Sequence, residues 1–519
     1  AGIRPMPLRH RATRGALAFA AGLISVPHLA TAQVAADPLA EVDEIFAPFD
    51  SDAAPGCAVG MEQGGERILT RAYGMANLEW GIPNTPETIF ENGSVSKQFT
   101  AAAVVLLTMD GELSLEDDVR DYIPELPDYG PRITLRHLLN HTSGIRDWGS
   151  VAGISGWGRG ERTHNHDHVL DILSRQSRLN FEPGHEYSYS NSGYNLLAMV
   201  VTRVSGTPFA EFSRERIFEP LGMTDTQWRD DYRRIVPGRS VGYSPAGGGY
   251  RLNHPIENVH GNGGLLTTVD DLLIWNRSLR DGTLAGPELV EMMETQGVLN
   301  DGSTIDYALG LTVSEVRGVK SVSHGGATSG YRAFLVRYPE QDLSVALLCN
   351  AANANPGGLA QQVAELALED LDPEPELPDG VAVDPAVLET RAGMYRDVET
   401  GVAVTITVGP DGKLLRGNTP LVPASESEFH VGTSGSRAIW EAGASGERTG
   451  FRVESADGRV VDRLEPVEPV ELWNENVEEY LGAFRSPDAE VTLTFELEND
   501  ALVINRRPSD RAPLRPAYK

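Results

Sequence analysis

The chain has 519 residues, of which 44 are Lys or Arg and 74 are Asp or Glu, so its formal net charge at pH 7 is -30. This acidity argues against binding to nucleic acid, which requires basic patches, and against attraction to anionic surfaces. Hydrophobic residues make up 40% of the chain and charged residues 23%, which supplies enough core for one large domain and two small ones and argues against disorder.

The first segment has the pattern of a secretory signal peptide. Four arginines, the first at Arg4, precede an apolar stretch over 16–26 and then a run of small residues at 30–32. We expect residues 1–32 to be cleaved off and the protein to be exported to the periplasm, with secretion outside the cell as the alternative. The apolar stretch is short for a membrane span of about 20 residues, so no stable span is expected after cleavage.

Lysine occurs only four times in the chain, and one of the four, Lys97, lies three residues after Ser94. The run 98–109 that follows has apolar residues at helical spacing, and Gly111 would end that helix. Positions three apart on a helix share a face, so the serine hydroxyl and the lysine amine can lie within hydrogen-bond reach. Burial can make an ammonium neutral but not a guanidinium, so the pair is a candidate nucleophile and base. A capping serine beside a solvent-facing lysine is the alternative interpretation.

Two later motifs carry further polar groups. Tyr189–Asn191 (Tyr-Ser-Asn) lies on a turn before a run with helical spacing. His324–Gly326 (His-Gly-Gly) follows a short strand-like run at 319–323 and precedes two strand candidates, 331–338 and 343–349. The paired glycines would let a substrate backbone approach closely.

The order of the motifs Ser-x-x-Lys, Tyr-x-Asn and His-x-Gly resembles the penicillin-recognising serine hydrolases, the family of serine β-lactamases, DD-peptidases and related esterases. The resemblance covers roughly 37–370 and includes the runs 137–145 (HLLNHTSGI) and 263–271 (GGLLTTVDD). It implies an α/β fold in which helices flank an antiparallel sheet, together with an all-α subdomain. Penicillinases and DD-carboxypeptidases usually have a lysine in the third motif, where it holds a substrate carboxylate. This chain has a histidine there, in which it resembles bacterial D-aminopeptidases. A histidine supplies a weaker, pH-dependent charge.

The resemblance also implies a role for each motif residue. Ser94 would attack a carbonyl carbon, neutral Lys97 would take the serine proton, and Tyr189 would relay that proton to the leaving group. Asn191 would bind the substrate amide and orient the lysine. The backbone N–H groups of the nucleophile and of Ala327 would hold the oxyanion.

Other candidate residues surround this set. His324 would shape the pocket and tune the pKa values of the lysine and the tyrosine, and Gly325 and Gly326 would contact the substrate. Arg332 would either meet a substrate carboxylate or cover the sheet edge, and the second interpretation is favoured. No metal and no organic cofactor is required.

The expected substrate is a small peptide, amide or ester. A D-aminopeptidase or D-amino acid amidase is the first hypothesis. An esterase, DD-carboxypeptidase or β-lactamase-like enzyme of the same fold is the alternative, and a non-catalytic protein that binds peptidoglycan or peptides is the alternative of another class. Resemblance to D-aminopeptidases also implies a possible homodimer.

Three further features have more than one interpretation. The histidine-rich run 164–168 has the composition of a metal site, but Thr163 and Asp167 resemble a helix start, and zinc is the less favoured interpretation. His141 is expected to hold a loop by hydrogen bonds rather than to catalyse a step. Cys57 and Cys349 lie in strand-like runs that belong to one sheet in the family fold, and we expect two buried free thiols rather than a disulfide.

The C-terminal part has a different organisation. A segment rich in proline and acidic residues at 371–383 predicts a linker, and short alternating strands with turns follow it. The run that begins at Gly393 is echoed 89 residues later at Gly482 (482 − 393 = 89). Two small antiparallel β-barrels are the simplest interpretation, one over 384–468 and a second, incomplete one over 469–519. The D-aminopeptidases that the chain resembles also carry two such barrels.

Overall fold

The computed structural model describes most of the chain from residue 38 onward. The described ranges are 38–369, 371–373, 376–441, 448–456, 458–470, 477–499, 501–506, 510–514 and 517–518. The predicted signal peptide lies outside them. In the described ranges, no helix combines the length and the apolar character needed to cross a bilayer.

The chain forms helices and strands throughout these ranges. The helices are α1 Pro38–Phe46, α2 Lys97–Met109, α3 Val119–Tyr122, α4 Leu135–Leu139, α5 Trp148–Ile154, α6 His166–Ser174, α7 Asn191–Ser205, α8 Phe209–Ser213, α9 Glu219–Leu221, α10 Val269–Asp281, α11 Pro287–Glu294, α12 Pro356–Glu365 and α13 Pro385–Arg391. The strands of the first part are β1 Cys57–Gln63, β2 Glu66–Tyr73, β3 Met75–Asn77, β4 Ile82–Pro83, β5 Phe90–Glu91, β6 Gln227–Trp228, β7 Tyr243–Ala246, β8 Gly249–Leu252, β9 Leu265–Thr267, β10 Thr312–Val316, β11 Val319–Thr328, β12 Tyr331–Tyr338 and β13 Leu343–Cys349. The strands of the C-terminal part are β14 Gly393–Asp397, β15 Ala403–Val408, β16 Leu414–Arg416, β17 Thr419–Pro423, β18 Glu428–Val431, β19 Arg437–Trp440, β20 Phe451–Glu454, β21 Val460–Pro466, β22 Gly482–Ser486, β23 Val491–Glu498, β24 Ala501–Arg506 and β25 Asp510–Pro513.

A six-stranded antiparallel sheet is the framework of the first part, with strand order β10-β11-β12-β13-β1-β2. Side chains alternate between the two faces of a strand, so Ala58 joins one apolar core while Cys57 and Val59 join another. Helix α10 packs on the first face, and α1 and α12 cover the second. Both faces are therefore buried, which explains why β1 and β13 are largely apolar.

Helix α2 lies between this sheet and a group of helices. It packs against α7, α8 and α11, and α7 in turn contacts α4, α5 and α6. Every residue of α2 from Lys97 to Leu107 is buried. A helix buried on all sides is normally apolar on most of its surface, and the lysine at its first position is the only charged residue in this buried run. The predicted helix over 98–109, the flanked antiparallel sheet and the all-α part are thus confirmed.

The third motif differs from its prediction in length. The sequence predicted a strand that ends at residue 323, but β11 continues through the motif to Thr328. The reason is its partner, because β11 pairs with β12 from Val322 to Thr328. On its other edge β11 pairs with β10 only as far as Ser323. The motif is therefore part of a strand with one edge uncovered by sheet.

The C-terminal part contains two β structures. Strands β14 to β21 close into an antiparallel barrel around Tyr395, Phe429, Trp440 and Phe451, among others. This confirms a C-terminal antiparallel barrel. Strands β22 to β25 form a separate four-stranded antiparallel sheet in the region where an incomplete second barrel was predicted. The sequence echo falls on the opening strands β14 and β22.

The turn between β22 and β23 contacts the helical part of the molecule. The Asp488 carboxylate accepts from Arg146 Nη1 at 3.0 Å and from the backbone N of Ser177 at 3.1 Å. Ala489 and Val491 are buried in the same apolar core as residues of α5 and α6. The four-stranded sheet is therefore attached through both apolar burial and a part-buried ion pair.

The prediction of two free thiols is wrong, because Cys57 and Cys349 form a disulfide. Strands β1 and β13 are neighbours, and their register places the two cysteines directly opposite each other with Cα atoms 4.0 Å apart. Directly opposed residues point to the same face of a sheet, so their sulfur atoms meet. The assignment to one sheet was right, but sheet membership alone does not give strand order or register.

We predict that this disulfide stabilises the folded protein by about 2–4 kcal/mol, because it constrains the unfolded chain. Guanidinium unfolding with and without a phosphine reductant measures the difference in the free energy of unfolding. The matched control is the double variant Cys57→Ala, Cys349→Ala, whose midpoint should be lower and insensitive to reductant. An unchanged midpoint after verified reduction of the native protein contradicts the prediction.

Candidate active site

The turn that carries Ser94 packs backbone to backbone against β11. Ser94 lies in a 3₁₀ turn directly before α2, and Gly93 at its start has φ +53. A Cβ at Gly93 would lie 2.6 Å from the backbone N of Ala327, and a Cβ at Gly326 would lie 2.0 Å from the carbonyl O of Asn92. Only glycine fits at these two positions. Because these two residues have no side chain, the backbone of the nucleophile turn and the backbone of β11 can approach each other closely.

Lys97 is the central side chain of the site. Its Nζ lies 3.1 Å from Ser94 Oγ, 3.0 Å from Asn191 Oδ1 and 2.6 Å from the carbonyl O of Asn262. The last two atoms are amide oxygens, which only accept hydrogen bonds. A neutral amine has two hydrogens and one lone pair, so donation to both amide oxygens leaves the lone pair for the serine hydroxyl. The partner set therefore fits a neutral amine that accepts the Ser94 proton.

The electrostatic surroundings favour that neutral form. Lys97 has no exposed surface, and its burial lowers its pKa well below the ordinary value. The nearby Arg159 guanidinium lowers this pKa further, while Asp147 opposes the shift. Desolvation and a like charge both disfavour an ammonium ion.

Asn191 is oriented by a carboxylate that the sequence analysis did not identify. Asn191 is the first residue of α7, and its Nδ2 and backbone N donate to Asp147 Oδ2 at 3.1 and 2.9 Å. These bonds fix the amide so that Oδ1 faces Lys97. Asp147 also caps α5 by accepting from the backbone N of Ser150 at 3.0 Å. Its position directly before a helix is the signal that could have drawn attention to it.

Asn262 is the second residue that sequence reasoning missed. Its carbonyl receives the shortest bond from Lys97, and its side-chain Oδ1 accepts from Asn195 Nδ2 at 2.7 Å. Gly261 before it has φ +97, and a Cβ there would lie 2.7 Å from the Ala198 Cβ. The glycines on either side of Asn262 are the only trace of this role in the sequence.

Tyr189 approaches the nucleophile from the loop before α7. Its ring centroid lies 4.7 Å from Lys97 Nζ, and that amine lies 3.1 Å from Ser94 Oγ. Burial raises the pKa of Tyr189 above its ordinary value, so the phenol keeps its proton at neutral pH. The side chain is nevertheless 39% exposed. It can therefore meet both Ser94 and a molecule entering from solvent.

His324 is buried and neutral. Its Nδ1 lies 2.6 Å from the carbonyl O of Gly325, and its Nε2 lies 2.9 Å from the hydroxyl of Tyr307. Burial first, and Lys97 second, lower the pKa of His324 to about 4. The bonding partners assign the proton to Nδ1, which donates to the carbonyl, while Nε2 accepts from the tyrosine. The pH-dependent charge expected from the sequence is thus absent near pH 7.

The other predicted positions lie close by. Gly325 and Ala327 are exposed on β11, while Gly326 is buried. The Arg332 side chain folds back onto its own turn, where its Nη1 donates to the carbonyl O of Ser329 at 3.1 Å and to that of Tyr331 at 2.7 Å. Both bonds close the connection between β11 and β12.

The histidine-rich run does not form a metal site. Each ring is hydrogen-bonded within the protein, His164 to Trp157 O, His166 to His260 O and His168 to Asn165 N. In the part of the chain that the structure describes, no group of three His, Cys, Asp or Glu side chains is arranged to hold a metal ion. Helix α6 begins after its N-cap Asn165, two residues later than the predicted start at Thr163.

A buried ion network lies behind the nucleophile. Glu91, two residues before Gly93, is fully buried and receives two bonds from Arg229, at 2.9 and 3.1 Å. Arg229 also lies 3.8 Å from Glu257, which pairs with Arg159. The network therefore connects the strand that leads into the nucleophile turn with the guanidinium that lowers the pKa of Lys97.

A cavity of about 450 Å³ opens beside Tyr189. Its lining includes the apolar side chains of Val151 and Phe181 and the ion pair of Arg146 with Asp488. The C-terminal part of the chain thus supplies part of the wall of this cavity through Ser486, Asp488 and Ala489.

Comparison with known proteins identifies the family of this chain. The model of the family described as Beta-lactamase matches residues 42–368. The chain is 29% identical over 452 residues to a D-aminopeptidase of Gluconobacter oxydans (strain 621H), covering 85% of this chain and 82% of that protein. Its fold is similar to that of an octameric penicillin-binding protein homologue from Pyrococcus abyssi, with a TM-score of 0.57, 22% identity, and coverage of 92% and 99%. It is also similar to D-amino acid amidase from Ochrobactrum anthropi SV3 complexed with L-phenylalanine amide, with a TM-score of 0.54, 23% identity, and coverage of 64% and 98%.

We predict that Glu91→Gln lowers the free energy of unfolding by about 3–5 kcal/mol, because it leaves the buried Arg229 charge without its main partner. Urea unfolding followed by tryptophan fluorescence measures the loss. The matched control is Glu116→Gln, which removes the exposed ion pair with Arg136 and should cost little or nothing. Equal losses for the two variants contradict a structural role for the network.

Proposed function

Because the chain belongs to the beta-lactamase family and is a serine hydrolase, we propose that it is a D-aminopeptidase or D-amino acid amidase that works through an acyl-enzyme on Ser94. The observation that carries the proposal is the bonding around Lys97, in which two amide oxygens take the amine hydrogens and leave the lone pair for the serine. This arrangement suits a nucleophile with an adjacent base.

In the proposed acylation step, Ser94 Oγ attacks the substrate carbonyl carbon while its proton passes to Lys97 Nζ. The C–N bond then breaks, and the Tyr189 hydroxyl gives its proton to the departing nitrogen. The proton held by the lysine restores the tyrosine, so both groups return to their starting states. In deacylation, water attacks the acyl carbon and gives a proton to the Tyr189 and Lys97 pair. The bond between that carbon and Ser94 Oγ then breaks, and the pair returns the proton to Ser94 Oγ as the carboxylic acid leaves.

The oxyanion formed during attack needs donors fixed in advance. We assign this role to the backbone N–H groups of Ser94 and Ala327. The close approach of Gly93 to Ala327 and of Gly326 to Asn92 supports the assignment, because it brings the two backbones together on one side of the nucleophile. Preorganised donors of this kind stabilise the transition state without reorganising during the reaction.

The charges around the site support a substrate without a carboxylate beside the scissile bond. His324 is neutral, Arg146 is paired with Asp488, and Arg332 donates to carbonyls of its own turn. Among the described residues of the cavity wall, the third motif and the turn that follows it, these are the basic side chains that a carboxylate could have met. The relative from Gluconobacter oxydans is named a D-aminopeptidase, which supports an N-terminal D-residue as the acyl group.

We also propose that the protein is exported, with the periplasm as the preferred location. The Cys57–Cys349 disulfide supports an oxidising compartment, because disulfides are rare in cytosolic proteins. The homodimer implied by the resemblance to D-aminopeptidases stays a prediction.

We predict that the protein releases p-nitroaniline from D-alanine p-nitroanilide faster than from the L-isomer, and that it hydrolyses p-nitrophenyl butyrate and nitrocefin weakly or not at all. Initial rates measured side by side test this, with Ser94→Ala as the inactive control. Turnover of the butyrate ester alone points to an esterase. Turnover of nitrocefin alone contradicts the argument against carboxylate substrates.

We predict that Lys97→Arg abolishes acylation, because arginine keeps a positive charge and cannot accept the serine proton. In the native protein kcat/KM should rise with pH as Lys97 loses its proton, with a midpoint well below the ordinary lysine value. No further limb should appear near pH 6.5, because the pKa of His324 is about 4. Lys413→Arg, at an exposed barrel position, is the matched control. Substantial hydrolysis by Lys97→Arg removes the lysine from the mechanism.

A further inference from the structure

His141 is a buried imidazole beside the site that the proposed reaction does not use. It is 2% exposed and follows α4 with φ +59, in the left-handed region that residues other than glycine rarely adopt. Such a conformation persists only where the surrounding contacts fix it. The contacts of His141 therefore indicate what the strained position is for.

These contacts bracket Tyr189. The carbonyl O of His141 accepts from the backbone N of Ser188 at 2.9 Å, and its ring Nδ1 accepts from the backbone N of Ser190 at 3.2 Å. The ring itself lies against the Tyr189 ring, with centroids 4.2 Å apart. Tyr189 lies on a loop rather than in a helix or strand. His141 therefore hydrogen-bonds the residue before Tyr189 and the residue after it, and its ring packs on the Tyr189 ring.

His141 is not itself a second base. Its Nδ1 lone pair is engaged by a backbone N–H, so the neutral ring carries its hydrogen on Nε2. Burial lowers the pKa of His141 well below its ordinary value, and Lys97 and His324 lower it further. Nε2 has no hydrogen-bond partner among the described residues, and the ring packs against those of Tyr194 and Tyr307, at 5.2 and 4.6 Å between centroids. A ring with its lone pair engaged cannot accept the serine proton.

We infer that His141 is a positioning residue for Tyr189, whose hydroxyl it places beside Ser94 through one backbone bond, one ring bond and one ring contact. The inference rests on the proposed function, in which Tyr189 relays the proton. A displacement of about 1 Å at a reacting group can cost about 10²-fold in rate. Loosening of this loop should therefore reduce the acylation rate before it affects binding.

Two substitutions of His141 distinguish its hydrogen bond to Ser190 from its ring contact with Tyr189. His141→Asn tolerates the left-handed backbone and places an oxygen near the position of Nδ1, so it keeps the bond to Ser190 and loses the ring contact. His141→Phe keeps a ring and loses the acceptor. With D-alanine p-nitroanilide, we expect the acylation rate to fall about 3- to 10-fold for the asparagine variant and about 10²-fold for the phenylalanine variant, with KM little changed.

The decisive measurement is the same pair of substitutions in a Tyr189→Phe background. If His141 acts through the Tyr189 hydroxyl, the substitutions should have little further effect there. His137→Asn is the matched control, because His137 Nδ1 also accepts from a backbone N, that of Thr134 at 3.2 Å, but its ring caps the start of α4. This control should keep the native acylation rate, and thermal unfolding of each variant separates folding losses from kinetic ones.

Equal fold losses with and without the Tyr189 hydroxyl overturn the inference and leave His141 a purely structural residue. Full rates for His141→Asn and for any folded His141→Phe overturn it as well. If Tyr189→Phe alone keeps the native acylation rate, the relay of the proposed function fails. That failure is recognised without any His141 variant, so the two outcomes are distinct.

Discussion

A buried amine whose hydrogens are already engaged is the constraint on which the site depends. Lys97 Nζ faces two amide oxygens and one hydroxyl, and only the hydroxyl can give it a proton. An ammonium ion in the same place would lie in a fully buried position beside Arg159, with the cost of desolvation and of a like charge. Burial of α2 on all sides, rather than any single partner, is what makes the neutral amine the stable form.

The local part of this arrangement was predictable from the sequence. Ser94 and Lys97 are three residues apart at the start of a helix, and both the spacing and the helix are short-range features. The Tyr-Ser-Asn turn before α7 follows from periodicity in the same way, whereas the flanked antiparallel sheet was implied by the family resemblance. Position along one element is what such patterns encode, and the observed α2 and α7 begin at or within one residue of the motifs that predicted them.

The partners from distant segments were not predictable. Asp147 reaches Asn191 across 44 residues, and Asn262 reaches Lys97 across 165 residues. The disulfide is the same kind of failure, because both strands were recognised but their order and register were not. The charge of His324 also escaped, since composition cannot say that its ring would be buried between Tyr307 and its own strand. Each of these depends on which elements become neighbours in three dimensions.

The two arginines near the site, Arg159 and Arg146, have different effects, because each is paired with a different carboxylate. Arg159, held by Glu257, keeps its charge close enough to lower the pKa of Lys97. Arg146 lines the cavity, but Asp488 of the C-terminal sheet neutralises it. A substrate carboxylate entering there would be desolvated without gaining an unpaired cation, which is unfavourable. Under the proposed function, selection against carboxylates therefore comes from the pairing of Arg146 with Asp488 rather than from a lack of arginine. Asp488 is supplied by a different part of the fold than the nucleophile.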